Sequence, residues 1–160
     1  MEYHNIPPVF DGRSEILVLG SFPSVRSRAE GFYYAHAQNR FWRTLAGVFC
    51  EPVPADVPEK KAFLLRHGIA LWDVLERCEV TGSSDASIKN AVPNDIPSLL
   101  NRSEIKRVYT NGKTAFLLYE KLVFPLTAIH CVLLPSTSPA NAAVSPDELI
   151  EKWKVLKIKS

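Results

Sequence analysis

Glu15-Ile16-Leu17-Val18-Leu19-Gly20 is the stretch on which the fold turns. From Ile16 to Leu19 it has no polar face, so both of its sides must be covered, and a glycine closes it. A strand buried on both faces belongs to a parallel sheet flanked by helices. Working outward, Asn39 to Phe49 has helical spacing, with Phe41, Leu45 and Phe49 on one face and Arg40 and Arg43 turned away. Lys60 to Arg66 continues as a helix that Gly68 stops. Gly68-Ile69-Ala70-Leu71-Trp72-Asp73 reads equally as a short strand or a tight connection. Val80 to Asp95 is polar and turn-rich, a functional or mobile loop. Ile105 to Thr110 predicts a second strand, followed by a turn at Asn111-Gly112 and a helix through Leu122. Thr127 to Leu134 predicts a third strand, ended by Pro135. The last helix carries the clearest start signal, with Ser145 as N-cap, Pro146 in the first helical position and Glu148 completing a capping box. This alternation predicts an α/β fold, a three-layer α/β/α arrangement around a central, mainly parallel sheet, in one domain over residues 1–160.

The chain has 160 residues, 46% hydrophobic and 22% charged, enough for such a core without a metal or disulfide staple. Cys50, Cys78 and Cys131 form no CxxC pair and read as small buried apolar side chains in a reducing compartment. No metal-ligand set stands out and no cofactor is implied. The first ten residues lack a basic region followed by an apolar run, and no stretch approaches a membrane span, so a soluble, cytoplasmic protein is expected. A net charge of +2 does not by itself announce a nucleic-acid partner. Arg26, Arg28, Arg40 and Arg43 nevertheless crowd one segment against Glu30 alone. Lys152, Lys154, Lys157 and Lys159 close the chain, as a solvated helix end would.

In an open parallel sheet, ligands gather outside the carboxyl ends of the strands. Three loops leave such ends: Gly20-Ser21-Phe22-Pro23-Ser24, Asn111-Gly112-Lys113, and Leu134-Pro135-Ser136-Thr137-Ser138-Pro139. All are small and polar. Either they form one crevice whose amides and hydroxyls suit phosphate oxygens, or glycine, serine and proline simply make good turns there.

The first of these loops, followed by Gly31-Phe32-Tyr33-Tyr34-Ala35-His36-Ala37-Gln38-Asn39-Arg40-Phe41-Trp42, resembles the uracil-DNA glycosylase superfamily. Its mismatch-specific uracil glycosylases have a similar glycine-x-x-proline loop and then an aromatic-Ala-His-x-x-Asn-Arg-Phe-Trp segment. Leu134 to Asn141 looks like the superfamily's second motif, a Pro-Ser loop that grips DNA beside the lesion. The Tyr-Tyr-Ala-His spelling, Gly68 to Asp73, and Ser87-Ile88-Lys89-Asn90 look most like the hypoxanthine-DNA glycosylase branch. The likeness spans nearly the whole chain. It implies a DNA-repair enzyme that flips a deaminated base out of double-stranded DNA and hydrolyses its glycosidic bond, leaving an abasic site. Hypoxanthine is the first choice of base and uracil the alternative. A monomer with no obligatory protein partner and no membrane contact is expected.

One position departs from the superfamily. The third residue of the first loop is usually the Asp or Asn that positions the attacking water, and here it is Phe22, which has no hydrogen-bonding group. The resemblance to the hypoxanthine branch implies that the task has moved to Asn39, its carbonyl accepting from a water while its NH2 is fixed by a neighbour. Asn39 equally suits the N-cap of the following helix. Tyr34, at the family's aromatic position, is a stacking platform worth about 1–3 kcal/mol per base, or else core. Backbone amides at Ser21 and Phe22 are candidate donors to the base carbonyl. His36 meets base or phosphate, or is a buried structural histidine; Asp73 reads the Watson–Crick edge or holds a loop. Pro23, Ser24, Asn111, Lys113, Ser136, Thr137 and Ser138 are expected to face DNA, with Pro139 and Ala140 where relatives insert a wedge. Lys89 and Lys113 suit phosphate rather than a Schiff base, so water is the expected nucleophile. Iron–sulfur relatives use four cysteines, more than this chain has. A serine hydrolase would need a GxSxG elbow, which is missing. Phe22 keeps open a non-catalytic DNA-binding domain.

Overall fold

The apolar run lies inside a four-stranded parallel sheet in the computed structural model, which describes residues 1–157. The elements in chain order are β1 (Glu2–Tyr3), β2 (Ile16–Gly20), α1 (Val25–Glu30), α2 (Phe41–Phe49), α3 (Val57–Arg66), β3 (Ile69–Asp73) and β4 (Leu75–Glu79). There follow β5 (Lys89–Pro93), α4 (Ile96–Asn101), β6 (Arg107–Asn111), α5 (Lys113–Leu122), α6 (Phe124–Thr127), β7 (Cys131–Leu134) and α7 (Pro146–Trp153). The large sheet has the order β3-β2-β6-β7, every pair parallel. A smaller antiparallel sheet, β1-β4-β5, continues from it.

Alternate residues of β2 feed two different cores. Ile16 and Val18 pack with Phe41 and Leu45 of α2, Phe63 and Leu64 of α3, and Leu149 and Trp153 of α7. Leu17 and Leu19 pack on the opposite face with Ile96 and Leu99 of α4 and Tyr119 of α5. Helices therefore cover both faces, giving three layers. Each fully buried Leu or Val contributes about 1.5–3 kcal/mol, so this strand needs no polar residue to be the most strongly anchored one.

Several elements differ from the expectations. Gly68 to Asp73 resolves as strand β3, entered through Gly68 at φ +69°, a left-handed turn out of α3. Val80 to Asp95 is only partly loop, since β5 pairs with β4 and a short 3-10 turn forms over Asp85–Ser87. The strand predicted from Thr127 begins at Cys131. Thr127 instead ends the α6 turn, where its Oγ1 lies 3.1 Å from the Tyr119 hydroxyl and accepts from the Ile129 N–H at 3.2 Å. The Thr127 backbone N–H donates to Val123 O at 3.2 Å, which takes the residue out of any ladder. Helix α7 starts as expected, with Ser145 Oγ accepting from the Glu148 N–H at 3.1 Å. Cys78 and Cys131 are buried, but Cys50 is exposed in the left-handed cap of α2. Lys159 lies outside the described residues. Among the described residues, no helix is long and apolar enough to cross a membrane, and no group of three or more His, Cys, Asp or Glu is placed to hold a metal ion.

Candidate active site

Parallel pairing in register brings the carboxyl ends of β2, β3, β6 and β7 to one edge, and a cavity of about 310 Å³ opens there. Its lining includes Gly20 to Ser24, Tyr34, His36, Asn39, Asp73, Asn111 and Ser136 to Pro139. The three loops singled out in the sequence do meet. Lys113, Lys89 and Ala140 are exposed and do not line the cavity, Lys113 because it already belongs to helix α5.

The Pro-Ser loop and the β6 end are stitched to each other and to Asn39. Thr137, fully buried, donates its hydroxyl to Asn39 Oδ1 at 2.9 Å and accepts from Asn111 Nδ2 at 2.9 Å. Asn111 Oδ1 accepts from the Thr137 N–H at 3.0 Å. Asn39 Oδ1 also accepts from the Phe41 N–H at 2.9 Å, which satisfies the first N–H of α2, although Asn39 is not the N-cap: that position is Arg40, which makes no side-chain cap bond. Both lone pairs of that carbonyl are then used. The amide is therefore held the opposite way round from the expectation: its carbonyl is fixed by neighbours, and its Nδ2 donors are the end left for a ligand. At Gly112 the backbone takes φ +93°, and an added Cβ would fall 3.1 Å from Ser136 Cβ. Only glycine allows the β6 turn to lie this close to the Pro-Ser loop.

Arg40 is the largest departure in the charge pattern. Its guanidinium does not turn away but donates to Val144 O at 2.6 Å, Asn141 O at 2.9 Å and Ser138 O at 3.3 Å. It clamps the Pro-Ser loop through backbone carbonyls. Arg28 is likewise committed, to Glu2 at 3.2 Å and Gly82 O at 3.0 Å, and it covers the Phe22 ring. Arg26 pairs with Glu30, and Arg43 reaches the Asn39 carbonyl at 3.4 Å. The arginine cluster is thus a set of loop fasteners more than a patch of uncommitted charge.

Deeper in the cavity, Gly20 permits a close approach. A Cβ there would fall 2.5 Å from Asp73 Oδ1 and 2.9 Å from the Tyr34 hydroxyl. Asp73 is buried, and its Oδ2 accepts from His4 Nε2 at 2.9 Å. His4 Nδ1 accepts from the Ile6 N–H at 3.3 Å, which leaves the ring proton on Nε2. Asp73 therefore anchors the N-terminal segment with one oxygen and turns the other toward Gly20. Tyr34 stacks on Phe41 with centroids 4.1 Å apart, so Phe41 occupies one face of its ring. Its buried hydroxyl has no hydrogen-bond partner among the described residues. Burial, with the Asp73 charge nearby, pushes that hydroxyl well above the ordinary tyrosine range, so it stays protonated. His36 is exposed at the cavity wall, with Nδ1 accepting from the Gln38 N–H at 3.1 Å, and is not a buried structural histidine. The Phe22 ring packs edge-on against His4, while among the described residues its N–H meets no backbone carbonyl. Pro139 and Ala140 are exposed, Pro139 at the cavity lining and Ala140 outside it.

Among the lining residues that sequence reasoning missed are Ser83 and Asp85. Both come from the segment between β4 and β5, which docks back on the site. Ser83 Oγ accepts from the Val25 N–H at 3.0 Å, and Ser21 Oγ donates to Asp85 Oδ1 at 2.8 Å. Each bond spans about sixty positions, beyond the reach of any local pattern.

The Uracil DNA glycosylase superfamily model matches residues 7–157. Two curated relatives are called hypoxanthine DNA glycosylase. One, from Methanosarcina acetivorans, is 34% identical over 152 residues, 94% of each chain. The other, from Methanosarcina barkeri, is 35% identical over 115 residues, covering 71% of this chain and 73% of that protein. Among solved structures, the solution NMR structure of a provisionally assigned uracil DNA glycosylase from Methanosarcina acetivorans aligns with a TM-score of 0.80 and 29% identity. It covers 98% of this chain and 99% of its own.

Proposed function

The chain belongs to the Uracil DNA glycosylase superfamily, and on that footing we propose that it removes hypoxanthine from DNA by hydrolysing the glycosidic bond. The observation that carries the reading is the convergence of Asn39, the Gly20–Ser24 turn and the Ser136–Ser138 stretch on one cavity at the strand ends. Its acceptors and donors suit the product of adenine deamination. Deamination replaces an acceptor at N1 and an amino donor at C6 with an N1–H donor and a C6 carbonyl. Asp73 Oδ1, lodged beside Gly20, is the acceptor for N1–H, and it would repel the N1 lone pair of adenine. The Phe22 N–H is the donor for the carbonyl, a role for which a phenylalanine side chain is no handicap. Tyr34, backed by Phe41, is the platform for the extruded ring.

As the C1′–N9 bond breaks, positive charge grows on the sugar and negative charge on the base. Asn39 Nδ2 donates to the oxygen of the attacking water and fixes it, with Thr137 and the Phe41 N–H locking the other end of the amide. Pro23, Ser24, Asn111, Ser136 and Ser138 meet the flanking phosphates, and His36 waits at the wall for phosphate or base. We take the chain to work as one domain and one monomer. The cytoplasm suits it, because Cys78 and Cys131 are buried as thiols.

The test is a panel of duplexes, each holding one deoxyinosine, deoxyxanthosine or deoxyuridine, treated with the protein and then with alkali. Cleavage at deoxyinosine is the expected result. Cleavage at deoxyuridine alone would replace hypoxanthine by uracil, and binding without cleavage would favour a DNA-binding module.

A further inference from the structure

We propose that Asp85 is the general base of this site, accepting the proton of the water that Asn39 positions. The inference rests on the glycosylase reading above and on an accounting of acceptors. An attacking water needs a donor to hold its oxygen and an acceptor for its proton. Asn39 supplies only donors, because both lone pairs of Oδ1 are taken. Phe22 supplies nothing from its side chain. Among the described residues, two carboxylates line the cavity, Asp73 and Asp85. Asp73 is buried beside Gly20 and bound to His4, the place of a group that reads a base. Asp85 stands on the loop between β4 and β5. As a residue it is exposed, but its carboxyl turns inward to Ser21 at 2.8 Å, in the very loop that lost its polar third side chain.

That bond engages Oδ1, and the water is placed at Oδ2. The step balances as follows. The water oxygen forms a bond to C1′ while the C1′–N9 electron pair leaves with the base, and the water proton passes to Asp85. The exposed side of the carboxyl then releases the proton to solvent. Surroundings favour the role: burial and the nearby Asp73 charge raise the Asp85 pKa, against bonds from Ser21 and Thr114 that lower it, and a more basic carboxylate is a better proton acceptor. Tyr34 and Cys78 also feel the Asp85 charge, and His36 shares the cavity wall.

Asp85→Asn keeps the size of the side chain and an acceptor for Ser21. Single-turnover release of hypoxanthine from a deoxyinosine duplex is expected to fall by about a hundredfold or more in this variant, with duplex binding kept. The wild-type rate should decline on the acid side as Asp85 takes a proton, and that limb should vanish in D85N. Formate added to Asp85→Ala should restore part of the rate, and should not restore Asn39→Ala, which a merely structural role for Asp85 would not produce. Equal rates for wild type and D85N, or a folded D85A with no formate response, would overturn the proposal while leaving the glycosylase reading intact. A wild-type chain that releases no base from any duplex would overturn both.

Discussion

Tyr34 holds a left-handed backbone at φ +54°, a conformation in which a bulky side chain is strained, and it buries a hydroxyl that meets no partner at ordinary hydrogen-bond distance among the described residues. Strain and an orphaned polar atom in one residue are costs that packing alone does not explain, and they are understandable if the ring is positioned for a ligand. The ring and the hydroxyl can be separated. Tyr34→Phe should keep single-turnover base release and raise stability by about 1 kcal/mol, because the unsatisfied group is gone. Tyr34→Ala should slow release by about tenfold or more, through loss of a stacking surface worth about 1–3 kcal/mol. Denaturant melts and single-turnover rates on the same two variants check this. The aromatic position was legible in the sequence, but its backbone strain was not, since no local pattern calls for a left-handed tyrosine.

At the scale of elements, the Pro-Ser loop has more fasteners than its length suggests. Arg40 ties two of its carbonyls, at Ser138 and Asn141, and that of Val144 just beyond it, Thr137 bridges Asn39 and Asn111, and Trp153 Nε1 donates to Pro135 O at 3.0 Å. Thr137→Val, nearly the same shape, removes the bridge alone. It should cost about 1 kcal/mol of stability, and should lower the single-turnover rate by about tenfold by loosening the Asn39 amide, while duplex binding changes little. Equal rates would mean that Thr137 holds the fold and not the amide. Local signals worked where the physics is local. The β2 run, the Ser145 cap and the glycine stops at Gly68 and Gly112 were all readable. They failed where a distant partner decides. Arg40 looked like solvent-facing charge until Val144 and Asn141 claimed it, and Thr127 looked like strand until the Tyr119 hydroxyl claimed it. Asp85 was lost within a polar stretch because its partner, Ser21, is far away in sequence.

Across the whole molecule, the doubly buried β2 strand fixes the architecture and the architecture fixes the place of the site. Two cores, one on each face of the sheet, hold four parallel strands in register, so their carboxyl ends must share an edge. Chemistry is then left to short turns and to a long aromatic segment that lays Asn39 against them. On the proposed reading, Asn39 and Asp85 take over in the same cavity the task that a polar side chain at Phe22 would have had. If that assembly is the enzyme, its amide is needed for turnover and not for grip. Single-turnover kinetics and duplex binding of Asn39→Ala on deoxyinosine DNA test this most directly. The rate should fall by at least about a hundredfold, with affinity for the lesion duplex nearly that of wild type. An undiminished rate in a folded Asn39→Ala protein would contradict the account.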